Sequence, residues 1–156
     1  MTAHGTHVAP SVNRVAFSAT VHCLTGCAIG EVLGLVIGTA LGWSDWATIA
    51  LAVGLAFLFG YSLTMLPLLR NGIALSAAIP VALAADTISI AIMEAVDNAF
   101  ILLVPGAMEA GLGDAKFWWA IALGFAIAYG PAFLANRWLI ARGRGHAVAH
   151  EYHRHH

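Results

Sequence analysis

Four stretches of this chain stay apolar for longer than a bilayer is thick, and nothing else limits the fold as strongly. They run over residues 15–42, 46–69, 73–104 and 117–140. A spanning helix needs about 20 mostly apolar residues, and runs of this length read as such helices. Composition agrees: of 156 residues, 60% are hydrophobic and 10% are charged, where a soluble domain carries about 25% charged residues. Mean hydropathy is +0.82. The expectation is an all-α protein, a four-transmembrane-helix bundle over residues 15–142, with tails at 1–14 and 143–156. The first segment is read as a retained span. It exceeds the 7–15 residues of a signal-peptide core and carries His22 and Glu31.

The connections fit that count. "GWSDW" is a short polar break, with Asp45 placed to cap the second helix. "RNG" at 70–72 is a tight cationic turn, and "PGAMEAGLGD" at 105–114 is a Gly-rich loop with two acids. With a cytoplasmic amino terminus, Arg14, Arg70, Arg137, Arg142, Arg144 and Arg154 share one side, and Lys116 stands alone on the other. That division follows the positive-inside rule for an even number of spans with both termini in the cytoplasm. A multi-pass protein of a bacterial inner (plasma) membrane is expected, with membrane lipid as its first partner. Trp118, Trp119 and Trp138 fit interfacial belts.

Packing signals are strong in the first span. Gly26, Gly30, Gly34, Gly38 and Gly42 recur every fourth residue. Lipid supplies no hydrophobic force between helices, so close backbone approach must hold them together. Matching small residues occur in the second span at Ala52, Ala56 and Gly60, and in the fourth at Ala120, Gly124, Ala128 and Ala132. Such seams serve packing within the chain, and the Gly26/Gly30/Gly34/Gly38 stripe also suits a homo-oligomer. Pro80 and Pro131 fall inside spans, where a proline frees a carbonyl and bends the axis. The third segment is overlong, so 99–104 is open to three placements: spanning, interfacial or re-entrant.

The segment "HCLTGCAIGE" at 22–31 concentrates costly side chains in a span. Cys23, Cys27 and Glu31 form an i, i+4, i+8 ribbon beside the glycine stripe, so thiols and carboxylate point into the bundle. His22 lies about 100° away. Two cysteines four apart on one helix do not read as a disulfide. They are free thiols, serving as metal ligands or as small core residues. The third span answers with "ADTISIAIMEAVDN" at 85–98, which places Asp86, Met93 and Asp97 on one face and Glu94 beside Met93. A carboxylate at mid-bilayer costs about 2.5–3.5 kcal/mol on the insertion scale, and such residues normally mark an ion or proton path. Asp97 and Asn98 are read as reaching the outer interface. Counting 1.5 Å per residue from the cytoplasmic ends puts Cys27 about 18 Å deep and Asp86 about 20 Å deep, with Glu31 between Asp86 and Glu94.

Soft and borderline donors of this kind suit Cu(I) or Zn(II). The candidate metal ligands are His22, Cys23, Cys27, Glu31, Asp86, Met93 and Glu94, with a second cluster at His146, His150 and His153 in the His-rich tail. Each also has a plainer reading: His22 as an interhelical hydrogen-bonder, Met93 as packing, the tail as a solvated end.

"HCLTGCAIGEVLG", "ADTISIAIMEAVDN" and "NRWLIARGRGHA" resemble the signature segments of a small bacterial four-span family catalogued only as a domain of unknown function. The resemblance covers about residues 16–150. It implies a four-helix integral membrane domain and brings no activity, substrate or catalytic residue.

The leading functional expectation is the handling of a transition-metal cation, by transport or by membrane binding. The rivals are a membrane redox subunit with His22 as a haem ligand, and a structural assembly factor of a membrane complex. Haem is less favoured, because a bis-histidine site needs a second histidine inside a span and only a dimer would supply it. No hydrolase signature, phosphate loop or nucleic-acid patch is present, so neither an enzyme nor a nucleic-acid partner is expected.

Overall fold

The computed structural model describes residues 11–143. It contains four helices: α1 (Val12–Ala40), α2 (Asp45–Arg70), α3 (Leu75–Leu103) and α4 (Ala115–Ala141). All four are long and apolar enough to cross a membrane, as in a multi-pass membrane protein. The sequence-based tails fall mostly outside this range, and His146, His150 and His153 lie outside the described residues altogether.

Each helix ends for a local reason. Gly42 at φ 65° and Gly72 at φ 82° take the left-handed conformation that stops α1 and α2. The following N–H groups turn back onto the last carbonyls: Trp43 onto Gly38 at 2.9 Å and Ile73 onto Leu68 at 3.1 Å. The amino end of α4 is capped by Asp114, whose carboxylate accepts from the Lys116 N–H at 2.9 Å. Asp45 does not cap α2. Ser44 is the N-cap and Asp45 the first helical residue, where its charge meets the positive end of the helix dipole. The third helix settles the overlong segment: it continues to Leu103, so 99–103 is helix rather than a re-entrant turn.

Successive helices run antiparallel and pack as a square, α1 against α2 and α4, and α3 against α2 and α4, with α1 and α3 also touching across the diagonal. The α1–α2 edge is a backbone seam. Gly26 faces Gly60, Gly30 faces Ala56, Gly34 faces Ala52 and Gly38 faces Thr48. Each step on α1 is matched by a four-residue step back on α2, which is what two antiparallel small-residue rows do when they mesh. A methyl group on Gly26 would stand 2.7 Å from the Gly60 Cα. All four glycines are covered by α2, so the stripe is spent on packing within the chain. Gly42, its fifth member, is exposed and belongs to the turn. Across the square, Ala120, Gly124, Ala128 and Ala132 of α4 are buried.

The α2–α3 edge carries a hydroxyl pair, Tyr61 Oη to Thr87 Oγ1 at 2.9 Å. Pro80 and Pro131 sit on exposed faces of helices that continue through them. The 105–114 loop is tied down by Trp118, whose indole N–H donates to the Leu112 carbonyl at 2.8 Å. Outside the core, Phe17, Leu58, Leu83, Leu103, Leu134 and Trp46 are exposed, the outward apolar surface that lipid requires.

Candidate functional site: a polar column between α1 and α3

The costly residues turn inward, and they do so in levels. At the first level Asn136 of α4 reaches across the bundle. Its side-chain amide donates to Thr20 Oγ1 at 3.0 Å and to Ser89 Oγ at 2.9 Å, joining α1, α3 and α4. Thr20 in turn donates to the Ala16 carbonyl at 2.8 Å. Near it, His22 Nε2 lies 3.1 Å from Thr64 Oγ1, and the Asp86 carboxyl is within hydrogen-bonding reach of the same Thr64 hydroxyl. His22 is half-buried, and Asp86 is buried.

One turn deeper come the thiols. Cys23 Sγ and Cys27 Sγ are 3.9 Å apart and both are buried free cysteines. Met93 packs in the same apolar cluster. The Cys27 thiol is within reach of the Glu94 carboxyl. Glu94 is steadied from its own helix: the Asn98 side-chain amide lies 3.4 Å from Glu94 Oε2, while Oε1 receives no hydrogen bond.

Deeper again, Glu31 of α1 faces Asp97 of α3. Both are 0% exposed. No other group of the protein donates to their four carboxyl oxygens, and the two carboxyls are within hydrogen-bonding reach of each other. Asp97 fits there because α4 has no side chain opposite. A methyl on Gly124 would overlap Asp97 Oδ1 and stand 3.0 Å from its Cγ. Beyond this pair the column stops at an apolar layer of Leu35, Ile101, Phe117 and Ile121.

This arrangement revises the sequence reading in two ways. The depth count set Cys27 level with Asp86, whereas Cys27 meets Glu94 and Glu31 meets Asp97. The helices start elsewhere than assumed: α1 begins three residues earlier and α3 two residues later. Those offsets alone shift the comparison by about 7.5 Å at 1.5 Å per residue. The predicted ligands therefore split into two groups, His22 with Asp86 about Thr64, and Cys23, Cys27 and Glu94 next to Glu31. Asp97 and Asn98, read as interfacial, are buried. Asn136 and Thr20 went unnoticed, although Asn136 continues the four-residue row of Ala128 and Ala132.

Carboxylates buried without donors are costly unless they take up a proton, share one with a neighbour or hold a cation. Among the described residues, no three His, Cys, Asp or Glu side chains already converge as a metal centre. The column therefore offers paired donors in series rather than one closed cage.

No curated protein and no solved structure matches the chain. The family described as "Domain of unknown function (DUF4396)" matches over residues 12–145, a range that contains all four helices and every residue of the column, and the chain belongs to that family.

Proposed function

We propose that this protein handles cations within a membrane, binding or transporting them along the α1–α3 column, with copper or zinc as the favoured ions. One observation carries the reading: Glu31 and Asp97 face each other, fully buried, with no donor from any other group of the protein for either carboxyl. Intramembrane acids in that condition take up or share protons or hold a cation between them, and they normally mark an ion or proton path. The neighbouring thiols favour a soft or borderline metal over a hard one. Paired ligands in series suit passage, since an ion that is to move on must not be held in a complete cage.

Charge placement supports a direction of insertion. Arg14, Arg70, Arg137 and Arg142 lie at the end of the bundle where α1 begins and α4 finishes. Asp45, Glu109, Asp114 and Lys116 lie at the other. The arginine end faces the cytoplasm under the positive-inside rule, in a bacterial inner membrane. His146, His150 and His153 follow α4 in the sequence, and a His-rich tract of this kind can bind divalent metal.

The test is uptake of Zn²⁺ or Cu⁺ into proteoliposomes enclosing a metal-sensitive dye. The wild type should fill the vesicles faster than protein-free liposomes do, and Glu31→Gln and Asp97→Asn should fall to that background. Wild-type uptake no faster than empty vesicles, or unchanged uptake in both variants, overturns transport along the column.

A further inference from the structure

The geometry points to a two-station path in which Cys23 and Cys27 first capture a borderline d¹⁰ cation of the zinc class, and Glu94 hands it to the Glu31–Asp97 pair. This rests on the cation-handling reading above and adds a ligand order, an ion class and a role for Glu94.

The thiol spacing comes first. Two thiolates on one tetrahedral zinc, at a bond length of about 2.3 Å, stand about 3.8 Å apart. The Cys23 and Cys27 sulfurs are 3.9 Å apart. Adjacent turns of α1 thus hold the two atoms at the span that one ion bridges, with little movement needed. A second observation aims a ligand at that point. Glu94 is 4% exposed, its Oε1 has no hydrogen-bond partner, and its carboxyl is within reach of the Cys27 thiol.

Glu94 also looks the other way. It lies close enough to Asp97 and to Glu31 for their charges to interact. Its tether on its own helix is long, the 3.4 Å contact from Asn98 to Oε2. Glu94 is therefore a ligand shared by two neighbours: thiols about one turn toward the arginine end, carboxyls about one turn toward the apolar layer. An ion on the thiols gains Glu94 as a third ligand, then keeps Glu94 as it exchanges sulfur for the oxygens of Glu31 and Asp97. Two thiol protons leave when the ion binds sulfur and return when it moves on. Ions that accept both thiolate and carboxylate make this exchange well, which is zinc chemistry. A strictly thiophilic ion would stop at the first station, and a hard ion would not enter it.

The test uses the full chain in detergent micelles, with Co²⁺ as a coloured stand-in for zinc, and Zn²⁺ uptake into proteoliposomes as a second measurement. Wild-type protein should show a near-ultraviolet thiolate-to-cobalt band, and Cys23→Ser/Cys27→Ser should lose both band and uptake. Glu94→Gln should keep the band yet lose uptake, the signature of capture without hand-off. Circular dichroism and gel filtration select variants that fold as the wild type does. Cobalt bound without a thiolate band, a double serine variant that transports normally, or Glu94→Gln with wild-type uptake each overturns the two-station path. If the wild type takes up no Zn²⁺, the transport reading falls, while the cobalt spectrum still decides whether the thiols form a site.

Discussion

Replacing Gly30 by alanine adds one methyl group at the place where the bundle has least room for it. The new carbon would stand 2.5 Å from the Ala56 Cα and closer still to the Ala56 nitrogen and the Leu55 carbonyl carbon. Ordinary carbon contacts lie at about 3.5–4.0 Å, so the shortfall is about 1 Å. The obstacles are backbone atoms, which no side-chain rotation removes. Helices α1 and α2 must part by that amount, and a gap of 0.5–1 Å forfeits about a quarter to a half of each contact's attraction. The loss spreads to the Gly26–Gly60 and Gly34–Ala52 contacts one turn to either side. Overpacking of this kind costs about 1–3 kcal/mol, and the backbone obstacle puts Gly30→Ala at the upper end. Thermal unfolding in detergent, followed by circular dichroism, should show the midpoint falling by about 6–12 °C, at about 2–4 °C per kcal/mol for a chain of this size. Gly54 is the control. It is exposed on α2 and nothing lies within 4 Å of the position a methyl would take, so Gly54→Ala should leave the midpoint unchanged or raise it slightly through helix propensity. Equal midpoints for the two variants would refute the backbone seam.

Three more substitutions probe the column. Gly124→Ala should cost only about 1 kcal/mol, because the obstacle is a short side chain, yet it should depress cation uptake sharply by driving Asp97 out of line with Glu31; Gly130→Ala, which has open space, should change neither. Asp97→Asn should raise the melting midpoint, since the amide gives the Glu31 carboxyl a donor worth about 1 kcal/mol, while uptake is lost. A lower midpoint would mean that Asp97 is a structural residue. Asn136→Ala removes two interhelical hydrogen bonds and should destabilise by about 1–2 kcal/mol at membrane values, measured by the same melting experiment, with an unchanged midpoint showing that the three-helix node contributes nothing.

Helix count and the small-residue stripe of α1 are legible in the sequence because both depend on local spacing, whereas the choice of α2 over α4 as its partner is not. Twenty apolar residues have one use in a bilayer, and a glycine every fourth residue stays on one face however the bundle is arranged. Gly42 broke that rule because its position is decided by where α1 ends, not by the stripe. What the sequence does not carry is the register between helices. Cys27 meets Glu94 rather than Asp86 because true helix starts differ from the apolar boundaries by a few residues, and each residue moves a side chain by 1.5 Å. Asp97 looked interfacial because the chain nearby turns polar at Asn98, yet α3 continues to Leu103 and carries it inside. Its spacing gave the clue: it is four residues from Met93 and three from Glu94, on the buried face. Asn136 was hidden by its neighbour Arg137, which marks a helix end, while the asparagine itself points back toward Thr20 and Ser89.

The central claim is that positive charge belongs between α1 and α3, and anomalous scattering from crystals soaked in Zn²⁺ and measured across the zinc edge addresses it directly. A peak within coordination distance of Cys23, Cys27 and Glu94, or between Glu31 and Asp97, is the result expected. A soaked crystal whose only zinc lies along residues 144–156, or that holds none at all, would contradict the account.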